Sequence, residues 1–159
     1  MKQHDETQLP LQVLKKFRII FGSVRHHFRE IERTCGVSGS QLWIMQEILH
    51  APGVGVSELA ERMSIHQSTC SQLVDKLASS GLVIKERSKE DQRRVGLCLS
   101  ENARKLLQSA PGPAEGVLPD SLRALPPATL KSLDSSLEQV IEHLQIKDSS
   151  LSEKPLADL

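Results

Sequence analysis

No apolar run in this chain approaches the roughly 20 residues that a membrane-crossing helix needs, so the sequence does not suggest a membrane protein. The opening MKQHDETQLP is polar and lacks the apolar core of a secretion signal. A cytoplasmic location is therefore expected. Cysteine is scarce: Cys35, Cys70 and Cys98 form no CxxC pair, and their odd number agrees with a reducing compartment. Net charge is missing as well, since 20 Lys and Arg balance 20 Asp and Glu, which argues against a general polyanion binder. Catalytic signatures are also lacking: there is no glycine-rich phosphate loop, HExxH, GxSxG or Asp-Gly calcium loop, so an enzyme is the least supported class. Neither a cofactor nor a metal is called for.

What is present is a 159-residue chain, 38% hydrophobic, which fits one domain with a sizeable core. Its organising stretch runs from Ser57 to Leu99. Leu59, Ala60 and Met63 repeat at helical spacing, with Ser57 as the expected cap and Glu58 in the first turn. After a short turn, Cys70, Leu73, Val74 and Leu77 fall at i, i+3, i+4 and i+7. The opposite face of that second helix carries Gln67, Ser68, Ser71, Gln72 and Asp75, with Lys76 beside it. Small donor-acceptor side chains of this kind suit the reading of base edges in a major groove. Gly81 stands where a left-handed cap is needed.

Leu82-Val83-Ile84 and Val95, Leu97, Leu99 then read as two strands around a charged loop from Lys85 to Arg94. That loop holds Lys85, Arg87, Lys89, Arg93 and Arg94 against Glu86, Glu90 and Asp91. Arginine at a hairpin tip can enter a minor groove or hold phosphates, and Asp91 is placed to hold the Arg93 guanidinium. Val54 to Val56 is expected as a brief third strand.

The remainder is helical. A first helix from Leu9 or Leu11 to Cys35 carries the seam Leu14, Phe17, Phe21, Val24, Phe28, Ile31 and Cys35, which includes every phenylalanine. A helix of this length offers more apolar surface than one small domain covers, so part of it is expected to be buried in a partner subunit. Gly39-Ser40 is expected to cap a helix through Trp43, whose ring suits a core. Ser100 caps another helix through Leu106 and Leu107. Prolines 111, 113, 119, 126 and 127 make a stiff connector with at most a short helix at Asp120 to Leu125. Leu130, Leu133, Leu137, Val140, Ile141 and Leu144 mark a final amphipathic helix. Beyond Lys147 the chain is expected to fray.

Charge is uneven along this plan. Leu14 to Gly36 has six basic and two acidic residues, whereas Leu107 to the end has four basic and eight acidic, so the C-terminal part should sit away from DNA. The fold class expected is mainly α with a small β wing: a winged helix-turn-helix at 37–109, a dimerisation helix at 1–36, a connector and final amphipathic helix at 110–146, whose part in dimerisation is what a family resemblance implies, and a frayed tail at 147–159.

Leu59-Ala60, the STCSQLVDKL run from Ser68 to Leu77, Gly81-Leu82-Val83, Asp91-Gln92-Arg93 and Leu99-Ser100 resemble the MarR family of winged helix-turn-helix regulators. The resemblance covers about Leu9 to Leu144, with specific motifs in the central third. It implies a homodimer on a pseudo-palindromic double-stranded DNA operator, acting as a repressor, with its grip changed by a small molecule or oxidant. It carries Arg93 over as the wing-tip residue, and Gln67, Ser68, Ser71 and Gln72 as recognition contacts. Two positions depart from many relatives: His66 stands for serine or threonine, and Gln72 for arginine. Affinity must then lean on the wing and the helix ends.

For the effector, Arg18 and Arg25 lie seven residues apart on one side of the first helix, flanking Phe17, Phe21 and Phe28. With Trp43 they suggest a pocket for a small anionic, aromatic ligand, since a guanidinium fork matches a carboxylate. Peroxide-sensing relatives use an N-terminal cysteine supported by tyrosines, and this chain has no tyrosine. A metal alternative rests on His26 and Glu30 at i, i+4, with His27 beside them. A protein-docking winged helix is the remaining alternative, and it would need no arginine at the wing tip.

Overall fold

The computed structural model describes the backbone of residues 2–159 and the side chains of residues 8–159. Met1, where the expected 1–36 segment begins, lies outside the described residues, as do most side chains of the polar opening stretch. Helix α1 spans Lys2–Cys35. It starts earlier than the apolar seam indicated, because polar residues extend a helix without extending its buried stripe. Gly36 ends it at φ 68°, its amide donating to the Glu32 carbonyl at 3.0 Å.

Helix α2, Gly39–His50, is capped one residue before the expected place. Ser38 Oγ accepts from the Gln41 amide at 3.2 Å and the Gln41 side chain accepts from the Ser38 amide at 2.9 Å, a reciprocal capping box. Gly39 and Ser40 are instead buried inside the helix. A Cβ at residue 39 would come within 2.4 Å of the Phe28 ring, so only glycine admits α1 this close.

Helix α3 covers Val56–Met63 and α4 covers Gln67–Ser79. The α3 cap is Gly55, not Ser57, because the chain turns helical two residues sooner. Gly81, at φ 74°, closes α4, with the Leu82 amide returning to the Leu77 carbonyl at 2.9 Å. Strands β1 (Val83–Arg87) and β2 (Val95–Leu99) pair antiparallel, from Val83 opposite Leu99 to Arg87 opposite Val95. The expected loop is thus shorter, because Lys85, Glu86 and Arg87 belong to the ladder. Of the expected third strand, only Val54 pairs, bridging Leu97, while Val56 already begins α3. Gly96 permits this approach, since a Cβ there would meet the Gly53 carbonyl at 2.8 Å.

Helix α5, Glu101–Ser109, is capped by Ser100 Oγ on the Ala103 amide at 3.2 Å. The connector holds α6, Val117–Arg123, and is tied to α1 by His27, whose Nε2 donates to the Pro113 carbonyl at 2.9 Å. Helix α7 spans Pro127–Glu142, with proline at its start where no amide partner is needed.

One core unites the middle of the chain. Leu42, Ile44, Met45 and Ile48 of α2 pack with Leu59, Ala60 and Met63 of α3 and with Cys70, Leu73, Val74 and Leu77 of α4. Val83, Leu97 and Leu99 of the wing, Ala103 of α5 and Ile31 of α1 complete it. The tail departs from expectation: it does not fray but forms two 3-10 turns, Ser149–Glu153 and Leu156–Asp158, with Pro155 buried between them. Its anchors are non-local, which is why composition alone misjudged it.

Candidate nucleic-acid interface

The apolar i, i+3, i+4, i+7 stripe of α4 turns inward and fixes which residues face out. Gln67, Ser68, Gln72 and Lys76 are exposed and Ser71 is half-buried. At the amino end His66 is the cap, a residue whose role the sequence reading missed. Its Nδ1 accepts from the Ser68 amide at 3.2 Å and lies 2.7 Å from the Ser68 hydroxyl. Imidazole thus replaces the hydroxyl or carboxylate oxygen of a usual cap. The Ser68 side chain is thereby engaged locally, which leaves Gln67, Ser71 and Gln72 as the freer polar groups of this end.

The wing is fastened to that helix by a contact not foreseen: Lys85 Nζ lies 2.5 Å from Asp75 Oδ1. Both side chains are well exposed, so the pair contributes only ~0.2–1 kcal/mol and acts mainly as a spacer between helix and hairpin. At the tip, Ser88 Oγ accepts from the amides of Glu90 and Asp91, and the Ser88 amide donates to the Arg94 carbonyl at 2.9 Å.

Asp91 corrects one expectation. Its Oδ1 accepts from the Arg93 backbone amide at 3.0 Å, and its other oxygen sits 3.8 Å from the Arg94 guanidinium. An aspartate in a tight turn reaches the amide two residues on more readily than the end of a long side chain. The Arg93 guanidinium therefore has no protein partner among the described residues and is exposed, as are Arg87 and Lys89. A hollow of about 1000 Å³ runs between this wing and the start of α3, lined by Ser57, Glu58, Arg87, Lys89, Arg93 and Arg94 among others.

The four residues expected to hold an effector do not meet in one site. Phe21 and Arg25 line a cleft of about 440 Å³, together with Val24, Phe28, Arg29 and Leu156. Arg18 lies two helical turns before Arg25, roughly 10 Å along the axis, and does not line that cleft. Trp43 packs on the core, with its Nε1 buried and lacking a partner among the described residues. Arg29 and the tail were the parts not foreseen; Arg29 sits one turn beyond Arg25, a spacing visible in the sequence.

The rival chemistries find little to work with. Glu30 is paired with Arg33 at 2.8 Å, which holds its carboxyl below the ordinary value, and His27 is committed to Pro113. No group of three or more potential metal ligands occurs among the described residues. Burial pushes the Cys70 thiol up to about 11 and raises that of Cys35, which disfavours the reactive thiolate.

A short helix, a turn, a second helix and a hairpin packed on one core define a winged helix-turn-helix fold. Residues 35–94 match the model of the MarR family. The chain is 25% identical over 101 residues to the HTH-type transcriptional repressor MdtR of Bacillus subtilis, a match covering 64% of each protein. It is 42% identical over 53 residues to the uncharacterized HTH-type transcriptional regulator YfiV of the same organism, 33% of each. The chain thus matches less than two thirds of the length of either relative. Its fold is that of a mutant MarR from E. coli complexed with operator DNA, at TM-score 0.53 and 17% identity, covering 82% of this chain and 96% of that one.

Proposed function

We propose that the chain is a transcription regulator, acting as a repressor, that binds a pseudo-palindromic operator as a homodimer and is released by a small anionic, aromatic ligand. The observation that carries this reading is the common exposure of Gln67, Gln72 and Lys76 on α4 and of Arg87, Lys89, Arg93 and Arg94 on the wing. Side chains on α4 would read base edges, while the wing cations supply the phosphate or minor-groove contacts that a nearly uncharged helix lacks. Ser68 and Ser71 would complete the helix contacts. On this reading 37–109 is the DNA-binding unit, and the segments 1–36 and 110–146 form the dimer.

Two features support the dimer. Phe21 and Ile19 of α1 are 66% and 68% exposed, and α7 has no buried residue although its Val140 and Ile141, with Leu144 just past its end, form an apolar stripe. Two such helices on one protomer supply the self-complementary surface that a two-fold pair requires. The cleft beside Phe21 and Arg25 supports the ligand reading, since apolar walls with the guanidinium groups of Arg25 and Arg29 against the one carboxylate of Glu32 keep a net positive lining that suits an aromatic carboxylate. Arg18 and Trp43 lie outside the cleft of a single protomer.

Retardation of the DNA upstream of the protein's own coding region tests the reading. Wild type should bind, and Arg93→Ala should weaken binding by about tenfold at matched salt, the scale of one arginine contact. Equal binding by wild type and variant would remove Arg93 from the interface, and no binding by wild type would favour a protein-docking module.

A further inference from the structure

The tail from Asp148 onward carries three acidic residues and one basic, Asp148, Glu153 and Asp158 against Lys154. Charge alone would send it away from a DNA-binding surface, yet it is fastened there. The Glu153 carbonyl accepts from the His66 amide at 3.0 Å, at the amino end of α4. The same residue borders a hollow of about 440 Å³ with Ser57, Ser64, Ile65 and Gln67. At the other end, the buried Ser40 hydroxyl donates to Asp158 Oδ1 at 2.6 Å. Between these anchors Pro155 is buried, and Ala157 sits where a Cβ on Gly39 would lie 3.1 Å away. Leu156, Ala157 and Leu159 form one wall of the cleft that Phe21 and Arg25 line from α1.

We propose that residues 148–159 are an autoinhibitory strap that competes with DNA for the amino end of the recognition helix. The amides of a helix's first turn and its partial positive charge are what a backbone phosphate seeks. Here the His66 amide already has a carbonyl, and the Glu153 carboxylate brings negative charge to the edge of the surface that Gln67 presents. DNA must displace the strap or accept that repulsion.

The strap also explains how a cleft on α1 reaches the DNA-reading helix, a point that rests on the function proposed above. Opposite α1 the cleft is lined by Leu118 of α6 and by Leu156, Ala157 and Leu159 of the strap, so it is complete only while the strap is docked. A ligand filling it therefore favours the docked, DNA-excluding state, and only such a difference in affinity between states shifts their populations.

Operator titrations of the full chain, of a chain ending at Lys147 and of Ser40→Ala test the strap without any ligand. Removing the strap should tighten operator binding about fivefold, the scale of a charge at a helix terminus. Ser40→Ala, which loses one anchor and leaves the chain length unchanged, should give a smaller gain and speed hydrogen exchange at the His66 amide. Binding by the full chain that is as strong as or stronger than binding by both variants overturns the strap alone. Failure of all three proteins to bind overturns the DNA-binding reading, and the strap's role with it.

Discussion

The winged-helix body and the helices that flank it treat their apolar residues in opposite ways. In the body, Leu59, Val74, Leu77 and Leu97 are fully buried, and each inward position of α4 meets α2, α3 or the wing. In α7, a stripe of the same residue types faces outward, and along α1 Leu14 and Phe21 do likewise. Identical periodicity thus has two outcomes. The body closes its core within one chain, whereas the flanks present an apolar surface that one chain leaves open. Contiguous apolar patches of this kind mark association surfaces, which is why folding and pairing should be separable by mutation.

Substitutions in the two regions should differ in kind. Leu77→Ala, at a fully buried site, should cost about 2–5 kcal/mol of stability through lost transfer energy and a cavity. The loss should appear in chemical denaturation at any protein concentration. Ile141→Asp, on the exposed stripe of α7, should leave each protomer folded but disfavour pairing, since a charge in an apolar interface lacks a partner. On the proposed dimer, sedimentation should then show monomers for the variant and dimers for wild type, and operator affinity should fall with the loss of the second half-site. If Ile141→Asp unfolds the chain or leaves the dimer intact, the contrast between body and flanks fails. Arg25→Ala should change neither stability nor ligand-free operator binding appreciably. It should abolish release by aromatic carboxylates, measured by adding them to a preformed operator complex.

Legibility in the sequence followed the range of the contacts. The stripe of α4, the Gly81 stop, the Ser100 cap and the hairpin arise from neighbours within a few residues, so spacing alone exposed them. Caps were misplaced by one or two positions at Ser57 and Ser40, because adjacent serine, glycine and valine offer competing starts that only tertiary packing decides. His66 went unseen as a cap because imidazole is an uncommon one. The tail lay beyond reach for a different reason: Ser40 and Asp158 are 118 residues apart, and nothing local in either residue names the other. The same holds for the cleft, where helical spacing placed Arg25 near Phe21 but could not say how far the connector and tail extend toward Arg18.

The most direct measurement is the stoichiometry and footprint of the protein on its operator. The account predicts two chains per site, with protected half-site centres about 10 bp apart on one face of the duplex and protection that weakens at each half-site when Arg93 is replaced. A single chain protecting one isolated half-site with full affinity would contradict it.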